Sequence, residues 1–214
     1  MNHGQQHRGV IVPMVTPITP TGQLDEPAIE RLVAFLVAGG IDGIFVLGTT
    51  GEGTSVPHAF RRRLVERTVA LTRRRVKVYA GICDPSPLGV TAGNDYFHAG
   101  ADAVVVRPPV AFPLEQLLPW LQTLLAGLEG PLILYNIPAT TNVSIPLDVL
   151  GQLIGHPNLA GIKDSEYSLA RLEELLRRFG DRPEFAILVG VGRLMAQGLK
   201  LGAEGIVPSV GNLI

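Results

Sequence analysis

The sequence predicts an α/β chain, a (β/α)8 TIM barrel, on three observations. Short β-branched runs alternate with longer amphipathic stretches from about residue 9 onward, the pattern of repeated βα units around a parallel sheet. Several amphipathic stretches end in a small-residue turn directly before the next apolar run, and glycine there stops a helix and reverses the chain as short αβ loops need. No strand runs into a full GxGxxG turn, which places the closed barrel ahead of an open doubly wound sheet. Gly190-Val191-Gly192 comes closest, but it continues as Arg193-Leu194-Met195 without the third glycine.

Taken in order, the first strand is expected over residues 10–15 and the first helix over 26–38, closed by Gly39-Gly40-Ile41-Asp42-Gly43. A strand at 43–47 and a helix at 58–72 follow, then a strand at 76–82. The helix at 88–99 is weakened by Gly89 and Gly93, each costing about 1 kcal/mol relative to alanine, and ends in Gly100-Ala101-Asp102-Ala103. Next come a strand at 103–106, a helix at 114–128, a strand at 132–135 and a helix at 146–154. The last units are a strand at 160–163, a helix at 169–179, a strand at 185–189, a helix at 193–201, the turn Gly202-Ala203-Glu204-Gly205 and a strand at 205–207. Residues 1–8 read as a polar N-terminal tail, and 9–214 as one barrel domain that stops after its eighth strand, with the eighth helix missing. A barrel of about 250 residues is typical.

Composition excludes several function classes. A chain of 214 residues with 46% hydrophobic and 17% charged residues has a sizeable core to bury. A formal charge of -1 and 6% aromatic residues offer neither a basic field nor a stacking platform for nucleic acid. Cys83 is the single cysteine, so no internal disulfide forms; the first nine residues have no apolar signal core. No apolar stretch approaches the roughly 18 to 20 residues of a membrane span. The expectation is a soluble cytoplasmic protein.

The most informative residue is Lys163, at the end of Leu159-Ala160-Gly161-Ile162-Lys163-Asp164 in a chain with three lysines against fifteen arginines. Arginine keeps its proton in a protein, whereas a desolvated lysine can lose it, and only a neutral amine attacks a ketone. Lys163 is thus the candidate nucleophile; its structural alternative is a stem snorkelling past the strand with its charge paired to Asp164 or Glu166. Tyr135, in Tyr135-Asn136-Ile137-Pro138, ends the adjacent strand and could carry a proton between a substrate oxygen and water, or serve as a core aromatic with a satisfied hydroxyl. After the second strand, Gly48-Thr49-Thr50-Gly51-Glu52-Gly53 is either an anion-binding turn or a tight connection whose threonines cap the next segment.

Other constellations carry less. The histidines His3, His7, His58, His98 and His156 have no paired spacing and no cysteine partner, so no metal is expected. Cys83 reads as a small buried hydrophobe rather than a reactive thiol. The arginine runs 61–63 and 73–75 read as a solvated face. Gly190 to Gly192 with Gly205 to Gly211 form an alternative phosphate site of the kind barrels place after strands seven and eight.

The ordered set GTTGE, YNIP, GIKDS and GIVPSVGN resembles the dihydrodipicolinate synthase and N-acetylneuraminate lyase superfamily, from about Gly9 to the end of the chain. The resemblance implies a class I lysine-dependent barrel enzyme handling pyruvate or another 2-oxo acid with no metal or other cofactor. It implies that Lys163 forms the Schiff base, Tyr135 shuttles protons, Thr49 and Thr50 hold the carboxylate, and backbone groups near Val207 complete the pocket. It also implies a homo-oligomer, commonly a tetramer, a helical extension beyond the barrel that this sequence does not contain, and an aldehyde as second substrate. The family's lysine-biosynthetic synthases have a tyrosine pair after strand four and an arginine shortly after the YN motif. Here the corresponding segments are Arg107 to Pro113 and Thr140. Its sialic acid lyases usually begin the strand-two hydroxyl pair with serine, where this chain has Thr49. These departures favour an aldolase or dehydratase of a 2-keto-3-deoxy sugar acid or a related 2-oxo acid, with Arg107 taking a distal carboxylate. The alternatives are true 4-hydroxy-tetrahydrodipicolinate synthesis, or an inactive truncated relative that only binds 2-oxo acids or folds poorly.

Overall fold

Strands covered on both faces carry unbroken apolar runs instead of alternating ones, and this chain has such runs at every strand position. The computed structural model describes residues 7–83 and 88–214. Its elements are β1 Gly9–Pro13, α1 Glu26–Ala38, β2 Gly43–Val46, α2 His58–Thr72, β3 Lys77–Ile82, α3 Leu88–His98, β4 Ala103–Val106 and α4 Leu114–Gly127. The chain continues with β5 Leu132–Asn136, α5 Pro138–Thr141, α6 Leu147–Leu153, β6 Leu159–Asp164, α7 Leu169–Phe179, β7 Ala186–Val189, α8 Met195–Lys200 and β8 Gly205–Ile206. Short 3-10 turns lie at Gly192–Leu194 and Ser209–Asn212. The strands follow chain order around a closed barrel, as the βα alternation predicts.

Two compact units make up the described chain: residues 7–9 with Val105–Val207, and Val10–Val104 with Pro208–Ile214. In the second of these, α1 is started by Asp25, whose carboxylate accepts the Ala28 N–H at 2.9 Å, with a proline in the first turn. Ile29, Val33 and Leu36 form its buried stripe. From α2, exposed Arg63 pairs across to Glu26 of α1 and half-buried Arg67 to Glu26 and Glu30; of the run 61–63, Arg62 and Arg63 are exposed as expected, whereas Arg61 is half-buried, its Nε donating to the Val56 carbonyl at 3.0 Å. Asn212 ties the last turn to β1, its amide nitrogen donating to the Pro13 carbonyl at 2.9 Å and its oxygen accepting the Val15 N–H at 3.0 Å. In the other unit, Ser168 caps α7 by accepting the Arg171 N–H, and Leu172, Leu175 and Phe179 form the helix's buried face.

The small-residue turns hold more than glycine. Asp42 donates its N–H to the Val10 carbonyl and accepts the Val10 N–H with its carboxylate at 2.8 Å. Asp102 does the same with Val78 at 2.8 Å, and Glu204 with Ile187 at 2.7 Å. Each acid therefore clasps the start of the preceding strand at two points, satisfying backbone groups that the parallel ladder leaves open at its end.

Departures from expectation are local. The one-turn α5 is too short to show periodicity, and it forms because Pro138 is preset for a first helical turn while Thr141 folds its hydroxyl back to the Ile137 and Val143 carbonyls. The helix expected over 193–201 begins as a 3-10 turn, tightened by the Leu194 N–H to Val191 carbonyl bond at 2.9 Å, before α8 proper. His7, in the stretch read as a polar tail, is buried.

The β5–β6 ladder slips once. Leu132 pairs with Leu159 but Ile133 with Gly161, so Ala160 is an extra residue on β6. Beyond the slip, Gly161 has no room for a side chain, because a Cβ there would meet the Ala186 carbonyl oxygen and approach the Ala186 Cβ at 3.1 Å. Gly161→Ala is expected to destabilise the protein by about 1–3 kcal/mol, read as a lower urea midpoint at unchanged m-value.

Candidate active site

Tyr135 and Lys163 are register partners at the ends of β5 and β6. Partners in a ladder project from the same face, and successive residues from opposite faces. Asp164 reaches α7, so Lys163 and Tyr135 turn the other way, toward the inside of the barrel. Both are 5% exposed, and the Lys163 Nζ lies 3.9 Å from the centroid of the Tyr135 ring. Burial holds the Lys163 amine below the ordinary lysine range, because the charged form loses its hydration; the phenol of Tyr135, hydrogen-bonded to it, pulls the other way. The arrangement sets a desolvated amine beside a phenol.

The carboxylates next to Lys163 in sequence are engaged by Arg171. Its Nε donates to Asp164 Oδ2 at 2.8 Å and lies 3.3 Å from Glu166 Oε2, while its Nη2 donates to the Ile145 carbonyl at 2.8 Å. Asn136 donates from Nδ2 to Asp164 at 3.0 Å and to Glu166 at 3.1 Å, and its Oδ1 accepts the Ile145 N–H at 2.9 Å. Ser144 donates to Glu166 at 2.6 Å. Thus the pairing of Asp164 and Glu166 raised by the structural alternative for Lys163 is with an arginine from α7.

Gly190, after β7, approaches the lysine arm closely: a Cβ there would run into Ser165 Oγ and sit 3.0 Å from Lys163 Cε. Gly190 therefore belongs to the surroundings of Lys163. The Val207 N–H is taken by the Val189 carbonyl at 2.9 Å and the next residue is Pro208, so near Val207 a backbone carbonyl, rather than an N–H, can meet a ligand. Arg107 is half-buried just past β4, and Thr140 lies exposed on α5.

Thr49 and Thr50 belong to the unit of residues 10–104, in a turn held by the Gly53 N–H to Gly48 carbonyl bond at 3.1 Å and by Thr16, which donates to the Gly51 carbonyl at 2.7 Å. Thr49 is exposed and Thr50 half-buried, and α2 has no side-chain cap, so the capping alternative for the threonines is not realised. Leu47, just before the turn, is buried at φ 59° with its carbonyl against Gly53 and Gly81. Cys83 is half-buried, its Sγ 3.6 Å from that carbonyl. Among the described residues, no group of three or more His, Cys, Asp or Glu side chains could hold a metal ion, and no helix is long and apolar enough to cross a membrane.

Asn136, Ser165 and Arg171 were not singled out from the sequence. Asn136 and Ser165 stand within two residues of Tyr135 and Lys163, but nothing in the sequence marks Arg171, whose place comes from helical geometry eight residues past the lysine.

Comparison with known proteins bears on this geometry. The dihydrodipicolinate synthetase family matches residues 6–214. The 4-hydroxy-tetrahydrodipicolinate synthase of Syntrophus aciditrophicus is 34% identical over 209 residues, covering 96% of this chain and 71% of the relative. The crystal structure of dihydrodipicolinate synthase from Aquifex aeolicus superposes with a TM-score of 0.91 at 30% identity, covering 96% of this chain and 71% of that one. YagE, a prophage protein of the dihydrodipicolinic acid synthase family from E. coli K12 solved in complex with pyruvate, gives 0.91 at 29% identity, with 96% and 71% covered.

The depressed lysine carries a stability consequence. Below its folded pKa the amine is charged in both states, and the folded state bears the full cost of burying it. Stability then rises with pH from that value up to the ordinary lysine value of 10.5, because the unfolded chain binds more protons across the interval. Lys163→Met is therefore expected to melt higher than the wild type, with the gain largest at and below the depressed pKa and shrinking toward pH 10.5, as followed by thermal melts across pH.

Proposed function

From the chain's membership of the dihydrodipicolinate synthetase family, we propose that it is a Schiff-base lyase acting on pyruvate or another 2-oxo acid through Lys163. The observation that carries the reading is the register-paired, buried contact of Lys163 with Tyr135. The pyruvate complex of the related YagE supports pyruvate as the partner.

In this mechanism the neutral Lys163 amine adds its lone pair to the 2-oxo carbon, and the carbonyl oxygen takes a proton from Tyr135 to give a carbinolamine. The tyrosinate recovers a proton from the attacking nitrogen and returns it to the departing hydroxyl, so water leaves and a protonated imine remains. That imine is an electron sink. Loss of a C3 proton gives a nucleophilic enamine that can add to an aldehyde; breaking the C3–C4 bond releases one; and expulsion of a C4 hydroxyl from the enamine completes a dehydration. Thr49 and Thr50 are assigned to the carboxylate, with the Val207 carbonyl bounding the 2-oxo acid. A homo-oligomer is expected on the family's pattern.

The preferred substrate is a 2-keto-3-deoxy sugar acid or a related compound, cleaved or dehydrated. This rests on Arg107 and Thr140 standing where the synthases carry the tyrosine pair and the arginine. The names of the relatives favour a second reading, true 4-hydroxy-tetrahydrodipicolinate synthesis. A screen of sugar acids against aspartate semialdehyde separates the two.

Incubation with pyruvate and borohydride is expected to add one reduced pyruvyl group to the wild type and none to Lys163→Ala, as read by intact mass. Tyr135→Phe should slow adduct formation by roughly 100-fold. A folded wild type without an adduct would overturn the catalytic assignment. For the distal carboxylate, Arg107→Ala should raise KM for dicarboxylic substrates by roughly tenfold while sparing pyruvate; unchanged kinetics on both would remove Arg107 from the site.

A further inference from the structure

The β5–β6 ladder already contains a slip at Ala160. Backbone pairing between strands is nearly as good one residue further along, but a one-residue shift turns every side chain to the opposite face. For β6 such a shift would point Lys163 at α7 and Asp164 into the barrel. The ladder alone does not select between these registers.

Side chains beyond the slip do. Asn136 and Asp164, the residues directly after Tyr135 and Lys163, are register partners and are bonded side chain to side chain at 3.0 Å. Arg171 reaches from α7 to the same Asp164 oxygen at 2.8 Å and to the Ile145 carbonyl at 2.8 Å, and the Ile145 N–H returns to Asn136 Oδ1 at 2.9 Å. The four residues form a closed ring of hydrogen bonds on the helix side of the strands. Arg171 is 11% exposed and Asp164 5%, so the ring is shielded from competing water.

The geometry points to Arg171 as a positioning residue for the lysine and tyrosine. By closing the ring it holds Asn136 opposite Asp164, and so holds Tyr135 against Lys163 on the other face. Arg171 touches no substrate and acts through Asp164 and Asn136. This inference rests on the imine chemistry proposed above.

The test compares Arg171→Gln, Arg171→Lys and, as a control on the same helix, Arg178→Gln, which removes the 2.8 Å Arg178–Asp148 pair without reaching the ring. Each protein is melted, then trapped with borohydride over a range of pyruvate concentrations. Arg171→Gln is expected to lower the adduct rate at saturating pyruvate by roughly 10- to 100-fold, with the half-saturating concentration within about twofold of wild type. Arg178→Gln should match the wild type. Lysine keeps the charge but cannot bridge Asp164 and Ile145 together, so Arg171→Lys should also be slow, and it carries the test alone if the glutamine variant does not melt cooperatively. A wild-type rate in either folded Arg171 variant, or an equal loss in Arg178→Gln, would overturn the positioning role. Absence of an adduct in the wild type would instead overturn the Schiff-base reading and this role with it.

Discussion

Keeping an amine dry at the end of a strand is the constraint around which the lysine's surroundings are arranged. A charged ammonium in that position would forfeit its hydration, so burial favours the neutral form that can attack a carbonyl. The same burial makes the lysine sensitive to nearby charge, and two carboxylates follow it within three residues. Strand alternation sends the first of them to the far side of the sheet, where Arg171 and Asn136 receive it. The polar groups that could disturb the amine are thereby spent on holding the strand that carries it.

The fold was legible because its signal is repetitive. Strand 103–106 and helices 26–38, 58–72 and 169–179 match the sequence reading residue for residue; apolar patterning marks each, and for 26–38 and 169–179 a capping Asp25 or Ser168 and a following glycine mark both ends. Elements without a period were not legible. A four-residue helix after Ile137 and a 3-10 turn before α8 depend on individual backbone bonds, and the Ala160 slip is a matter of register between β5 and β6 that no local pattern encodes.

For the candidate site, the adjacency of Lys163 and Tyr135 was legible because they close neighbouring strands. The place of Arg171 was not, because it is one of fifteen arginines and its distinction is a position relative to Asp164 that appears only once α7 has packed. The acids of the small-residue turns were read through their glycines alone; that Asp42, Asp102 and Glu204 bind the preceding strand requires knowing which backbone groups the ladder leaves open.

Those acid clasps sit where strands begin, whereas the lysine and tyrosine sit where strands end. On the proposed lyase reading, strand starts carry the anchors and strand ends carry the reacting groups. On that reading, divergence of substrate preference can proceed by exchanging segments that follow strands, such as the stretch from Arg107 to Pro113, while the anchoring acids remain untouched. The same separation gives an engineer a ready partition: residues before a strand are the chassis, and residues after it are the tool.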